Sequence, residues 1–187
     1  MGDMENLAKQ SYELINSKAS SNILMQGLSG IVGFPFTLIA DGAVIFTHYG
    51  PMLNQIRSLF NRSPVSESVV SSIVKGISSE LLFDIVADKV LGNIPVVGIY
   101  FNAICAKTMT WRLGILFTML SARGEDINTD SVQKTMKLIR KVFPQNDAFS
   151  FKQPSFDTFV KLIGKVTNIS EESYERKIDK ALAALDG

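Results

Sequence analysis

The longest apolar pattern in the chain runs over residues 19–56 and contains a single charged side chain, Asp41. Pro35 lies within this stretch, and proline begins a helix well but continues one badly. We therefore predict two apolar helices that are separated by a break near Pro35. Gly50 and Pro51 predict a second interruption, after which the apolar positions continue at helical spacing.

A second apolar stretch covers residues 94–120 and is interrupted by Lys107 and Arg112. A charged side chain at the centre of a bilayer costs about 2.5–3.5 kcal/mol, so a simple membrane span is disfavoured. Burial of apolar surface contributes about 25 cal/mol per Å², which is a strong drive for mutual packing. We predict that residues 23–49 and 94–120 pack together as neighbouring helical hairpin regions, with Pro95 at the start of a helix.

Gly27, Gly30 and Gly33 recur at intervals of three residues in the first apolar stretch. Small residues at this spacing allow helices to approach closely, either within a membrane or inside the core of a soluble helical protein. The spacing is compatible with both settings, and both remain open at the level of the sequence.

Shorter helical periodicities surround the two apolar stretches. They predict helices over residues 3–17, from Ser66 onwards, and over 81–90, 132–143, 156–163 and 174–185. No alternating strand pattern is found, so the predicted fold class is all-α, a compact multi-helix bundle built on two long apolar, glycine-containing helical hairpin regions. The change in composition predicts an apolar core domain over residues 1–124 and amphipathic C-terminal helices over 125–187, packed on it as one structural unit.

The length, net charge and cysteine content of the chain limit the kinds of function that it can have. A chain of 187 residues can bury a full core, and its net charge of +1 gives no electrostatic argument for a nucleic-acid partner. The single cysteine, Cys105, excludes an intramolecular disulfide and fits a reducing compartment. Residues 1–18 are polar and carry both signs of charge, unlike a secretory signal. We expect a cytoplasmic protein, with peripheral or integral association with the inner membrane as the open alternative.

The chemistry-bearing residues do not form a catalytic signature. His48 is the only histidine, which excludes a multi-histidine metal site, and its neighbours are typical of a helix end. Cys105 fits an inert packing thiol better than a nucleophile because its neighbours are small and apolar. Asp84 and Asp88 are one helical turn apart, which fits a solvated face better than a metal site. We predict no catalytic, cofactor-binding or metal-ligating residues.

Asp41 is the most unusual charged residue because of its apolar surroundings. It could bind a cation, a proton or a basic group of a partner, or it could be a structural carboxylate that caps a helix or pairs with Lys107 or Arg112. A basic stripe in the C-terminal half, formed by Lys134, Lys137, Arg140 and Lys141, could contact acidic lipid or protein, or simply be solvated. The predicted partner or lipid contacts are Asp41, Lys107, Arg112, Lys134, Lys137, Arg140 and Lys141.

Several short motifs over residues 30–120 resemble those of a known family. They are Pro35-Phe36, Asp41-Gly42, Tyr49-Gly50, Gln55-Ile56, Ile94-Pro95-Val96-Val97-Gly98, Asn102-Ala103, Thr110 and Gly114. Together they resemble the helical domain-of-unknown-function family 697, which is found beside or fused to bacterial GTPases. The resemblance implies a helical accessory role for a membrane-linked GTPase.

The chain departs from this association in having no phosphate-binding loop. Residues 27–33 are rich in glycine but lack the lysine that reaches the phosphates of a nucleotide. The implied GTPase is therefore a separate polypeptide. We expect a non-enzymatic helical accessory module that binds a protein partner or lipid at or near a membrane. The alternative is a self-associating soluble helical scaffold without membrane contact.

Overall fold

A computed structural model describes residues 2–29, 42–74, 95–127 and 153–167. The helices within these ranges are α1 (Gly2–Ser29), α2 (Gly42–Leu59), α3 (described over 67–74), α4 (Pro95–Arg123) and α5 (Phe156–Thr167). No strand occurs in the described ranges, and the helices pack compactly. The prediction of an all-α bundle is confirmed.

Helix α4 lies at the centre of the bundle. Every side chain from Met109 to Ser121 is buried, and α1, α2 and α5 all pack against this helix. A helix that is covered on its whole circumference needs apolar residues on every side. Its few buried polar groups require internal partners, and the hydroxyl of Thr118 donates to the carbonyl oxygen of Gly114 at 2.7 Å.

Helices α1 and α4 make the most extensive contact in the described bundle. At their crossing, Gly114 faces the fully buried side chain of Ile15. A Cβ atom at position 114 would lie 2.6 Å from Cδ1 of Ile15, well inside van der Waals contact. The missing side chain therefore allows the two helices to approach this closely.

An aromatic cluster joins α1, α4 and α5. The ring of Tyr12 lies 5.1–5.5 Å from three other rings, those of Trp111, Phe156 and Phe159. The phenol of Tyr12 donates to the carbonyl oxygen of Pro154 at 3.1 Å and accepts from the side-chain amide of Gln153 at 3.1 Å. Tyr12 thus contributes its apolar ring to the core while its hydroxyl group is satisfied at the edge.

Helix α1 is longer than the sequence predicts. The expected helix over residues 3–17 continues without a break to Ser29. The hydroxyl groups of Ser20 and Ser21 find partners within the helix, since they donate to the carbonyl oxygens of Asn16 and Lys18, each at 2.9 Å. Ala19 is fully buried, so packing favours the continuation. The predicted break near Pro35 lies outside the described residues.

The predicted interruption at Gly50 and Pro51 is wrong, because α2 continues through both residues. Proline inside a helix costs about 3 kcal/mol through its lost hydrogen bond and steric conflict. Burial offsets this cost, since each large apolar side chain contributes about 1.5–3 kcal/mol. The buried side chains around this point are Tyr49, Met52, Leu53 and Ile56. The ring of Pro51 itself is exposed.

Three predicted helix starts are confirmed. Helix α3 follows Ser66, whose carbonyl oxygen accepts from the amide of Val70 at 3.1 Å. Helix α4 begins at Pro95, where the absent amide hydrogen costs nothing. Helix α5 begins after Ser155, whose hydroxyl oxygen accepts from the amide of Thr158 at 3.2 Å as an N-cap.

Part of the predicted hairpin packing falls within the described residues. Helices α1 and α2, which include the described parts of residues 23–49, both pack against α4. The rest of that pairing lies outside the described residues, as do the helices predicted at 81–90, 132–143 and 174–185. Helix α5 packs on α1 and α4. The division into segments 1–124 and 125–187 stays a prediction.

Candidate functional site

Two of the seven predicted contact residues lie in the described part of the chain. Lys107 is half-buried on α4, and Arg112 on the same helix is 5% exposed. The other five fall outside the described ranges: Asp41, Lys134, Lys137, Arg140 and Lys141. The pairing of Asp41 with Lys107 or Arg112 therefore stays a prediction. Asp84 and Asp88 also lie outside the described residues.

Sequence reasoning missed a second group of cations, which lies where α2 and α4 end together. Helix α2 closes in a Schellman motif, with Asn61 in the left-handed region at φ 54°. The amide of Asn61 donates to the carbonyl oxygen of Ser58 at 3.0 Å. The amide of Arg62 donates to the carbonyl oxygen of Arg57 at 2.9 Å. This reversal carries Arg62 back beside the last turn of the helix.

Helix α4 closes in the same way. Gly124 has φ +76°, a conformation that glycine adopts without steric cost. Its amide donates to the carbonyl oxygen of Ser121 at 3.1 Å, and the amide of Glu125 donates to that of Leu120 at 3.0 Å. Two helices therefore end in matching caps, and both ends can be approached from solvent.

Arg62 links these two helix ends, which we call the α2–α4 junction (residues 57–63 and 121–126). Its Nε donates to the carbonyl oxygen of Ser121 at 3.2 Å. A Cβ atom at Gly124 would lie 2.6 Å from Nη2 of Arg62, so the glycine leaves space for the guanidinium group. A cation that donates to the last carbonyl oxygens of a helix is favoured by the helix dipole.

Arg57 lies behind Arg62 and is only 4% exposed. Its Nε donates to the carbonyl oxygen of Ser63 at 2.5 Å, whereas its buried Nη1 has no hydrogen-bond partner within the described ranges. Burial lowers the pKa of Arg57, nearby Asp126 raises it, and the positive charge of Arg62 lowers it. The guanidinium group stays charged at neutral pH because the ordinary pKa of arginine lies far above neutrality.

His48 occupies the middle of α2, so its expected position at a helix end is wrong. Its ring lies 4.7 Å from that of Tyr49 in a T-shaped arrangement, and its buried Nε2 has no hydrogen-bond partner among the residues described. Burial, followed by the positive charge of Lys18, lowers the pKa of His48 to about 4. Burial lowers the pKa of Lys18 as well. The imidazole is therefore neutral at pH 7 and only a weak base.

Within residues 2–29, 42–74, 95–127 and 153–167, no three side chains of His, Cys, Asp or Glu come together as a metal site would require. None of the described helices combines the length and the apolar content needed to cross a bilayer.

Local sequence signals for the α2–α4 junction do exist. Asn61 and Gly124 each follow an apolar helical pattern and are typical helix-ending residues. Whether these two helix ends come together depends on how α2 packs on α4, and no local sequence pattern contains that information.

Comparison with known proteins gives no relative for this chain. No protein-family model matches it, and neither the curated proteins nor the solved structures contain a match. The resemblance to the helical family 697 therefore stays a prediction.

Proposed function

We propose that this chain is a non-enzymatic helical accessory module that binds a protein partner or lipid at or near a membrane. The observation that carries the proposal is the burial of α4 on every side between Met109 and Ser121. A bundle that encloses a helix on every side uses that helix for stability and leaves contacts with partners to the surrounding helices. The sequence resemblance supports a separate membrane-linked GTPase as the protein partner.

The state of His48 supports a role other than catalysis. General bases work best when their pKa lies near the operating pH, and a pKa of about 4 is far below it. The neighbouring Lys18 also opposes formation of the imidazolium ion. The only imidazole in the chain is thus poorly suited to proton transfer at neutral pH.

A self-associating helical scaffold without membrane contact is the second candidate. The enclosure of α4 by α1, α2 and α5 fits this candidate equally well. The most apolar described helix consequently needs no lipid to remove it from water.

Flotation of the full chain with liposomes tests the membrane proposal. We expect flotation with vesicles of phosphatidylcholine and phosphatidylglycerol, and little with phosphatidylcholine alone. The double variant Lys137→Glu/Lys141→Glu should bind more weakly by about 2 kcal/mol, close to 30-fold, because each basic residue near an anionic surface contributes about 1 kcal/mol. The matched control is Lys9→Glu/Lys161→Glu, which has the same change in net charge at two exposed positions.

The outcomes separate the two candidates. Equal losses in both double variants would contradict a role for the basic stripe. Absence of flotation, together with a homo-oligomer in light scattering, would favour the scaffold. Crosslinking in cells followed by mass spectrometry should recover a GTPase with its own phosphate-binding loop, and a consistent failure to do so would count against that partner.

A further inference from the structure

We draw no further inference here: the strongest candidate, the pair formed by His48 on α2 and the half-buried Lys18 on α1, rests only on the lowered pKa values of the two side chains, which by themselves assign no ligand or partner.

Discussion

Acidification should destabilise the fold through His48, and the size of the effect follows from its environment. The pKa of this imidazole falls from an ordinary 6.5 to about 4 in the folded chain. The unfolded chain therefore takes up the proton first, and stability declines as the pH falls from about 6.5 to about 4. A full shift of this size corresponds to about 3.4 kcal/mol at 1.36 kcal/mol per pKa unit. Because the ring is partly exposed, solvent screening should reduce this to about 2 kcal/mol.

Urea unfolding between pH 7.5 and pH 4 measures this loss. His48→Asn is the reference because it removes the titrating group but keeps a polar side chain, and carboxylates contribute equally to both chains. We expect the free energy of unfolding of the unchanged chain to fall by about 2 kcal/mol more than that of the variant. The same dependence on pH in both chains would refute the reasoning.

Proton NMR follows the same group directly. With one histidine in the chain, the titrating imidazole resonances need no assignment. The midpoint should lie near pH 4 and rise in Lys18→Met, which removes the second cause of the shift. Lys9→Met, at an exposed position on the same helix, is the control and should leave the midpoint unchanged. A midpoint near 6.5 in the unchanged chain would show that burial of the ring does not act as described.

Two further predictions concern packing. Gly114→Ala should destabilise the fold by about 1–3 kcal/mol in thermal or urea unfolding, because the new methyl group overlaps Ile15. In a chain that carries Ile15→Ala, which removes every atom that the new methyl group would overlap, Gly114→Ala should cost less, and simple additivity would argue against the overlap. Tyr12→Phe should cost about 1 kcal/mol, since the hydroxyl group donates to Pro154 and accepts from Gln153. An unchanged free energy of unfolding would mean that water replaces both bonds at no cost.

The features that could be predicted from sequence are those determined within a few residues. The starts of α3, α4 and α5 follow from Ser66, Pro95 and Ser155, whose capping chemistry is local. The path through Pro51 could not be predicted in this way. Its local penalty is visible in the sequence, but the burial that offsets the penalty depends on α4, which is distant in the chain.

The α2–α4 junction illustrates the same limit at the level of a site. The helix-ending residues Asn61 and Gly124 are readable from sequence, and so are the charges of Arg57 and Arg62. The hydrogen bond from Arg62 to the carbonyl oxygen of Ser121 joins residues 59 positions apart. Only the packed helices determine that bond, so composition and spacing could not distinguish these arginines from other surface cations.

The enclosure of α4 has a consequence for synthesis on the ribosome. Tyr12 and Gln153, which meet at the edge of the aromatic cluster, are 141 residues apart. At 5–20 residues per second, translation needs about 7–30 s to cover that distance. Throughout this interval the nascent chain already contains α1 but still lacks α5, the helix that covers one side of Trp111. Once Trp111 has been added, the face of its indole that packs against α5 stays uncovered until Phe159 follows 48 residues later, so a ribosome stalled in between holds a bundle that lacks this cover.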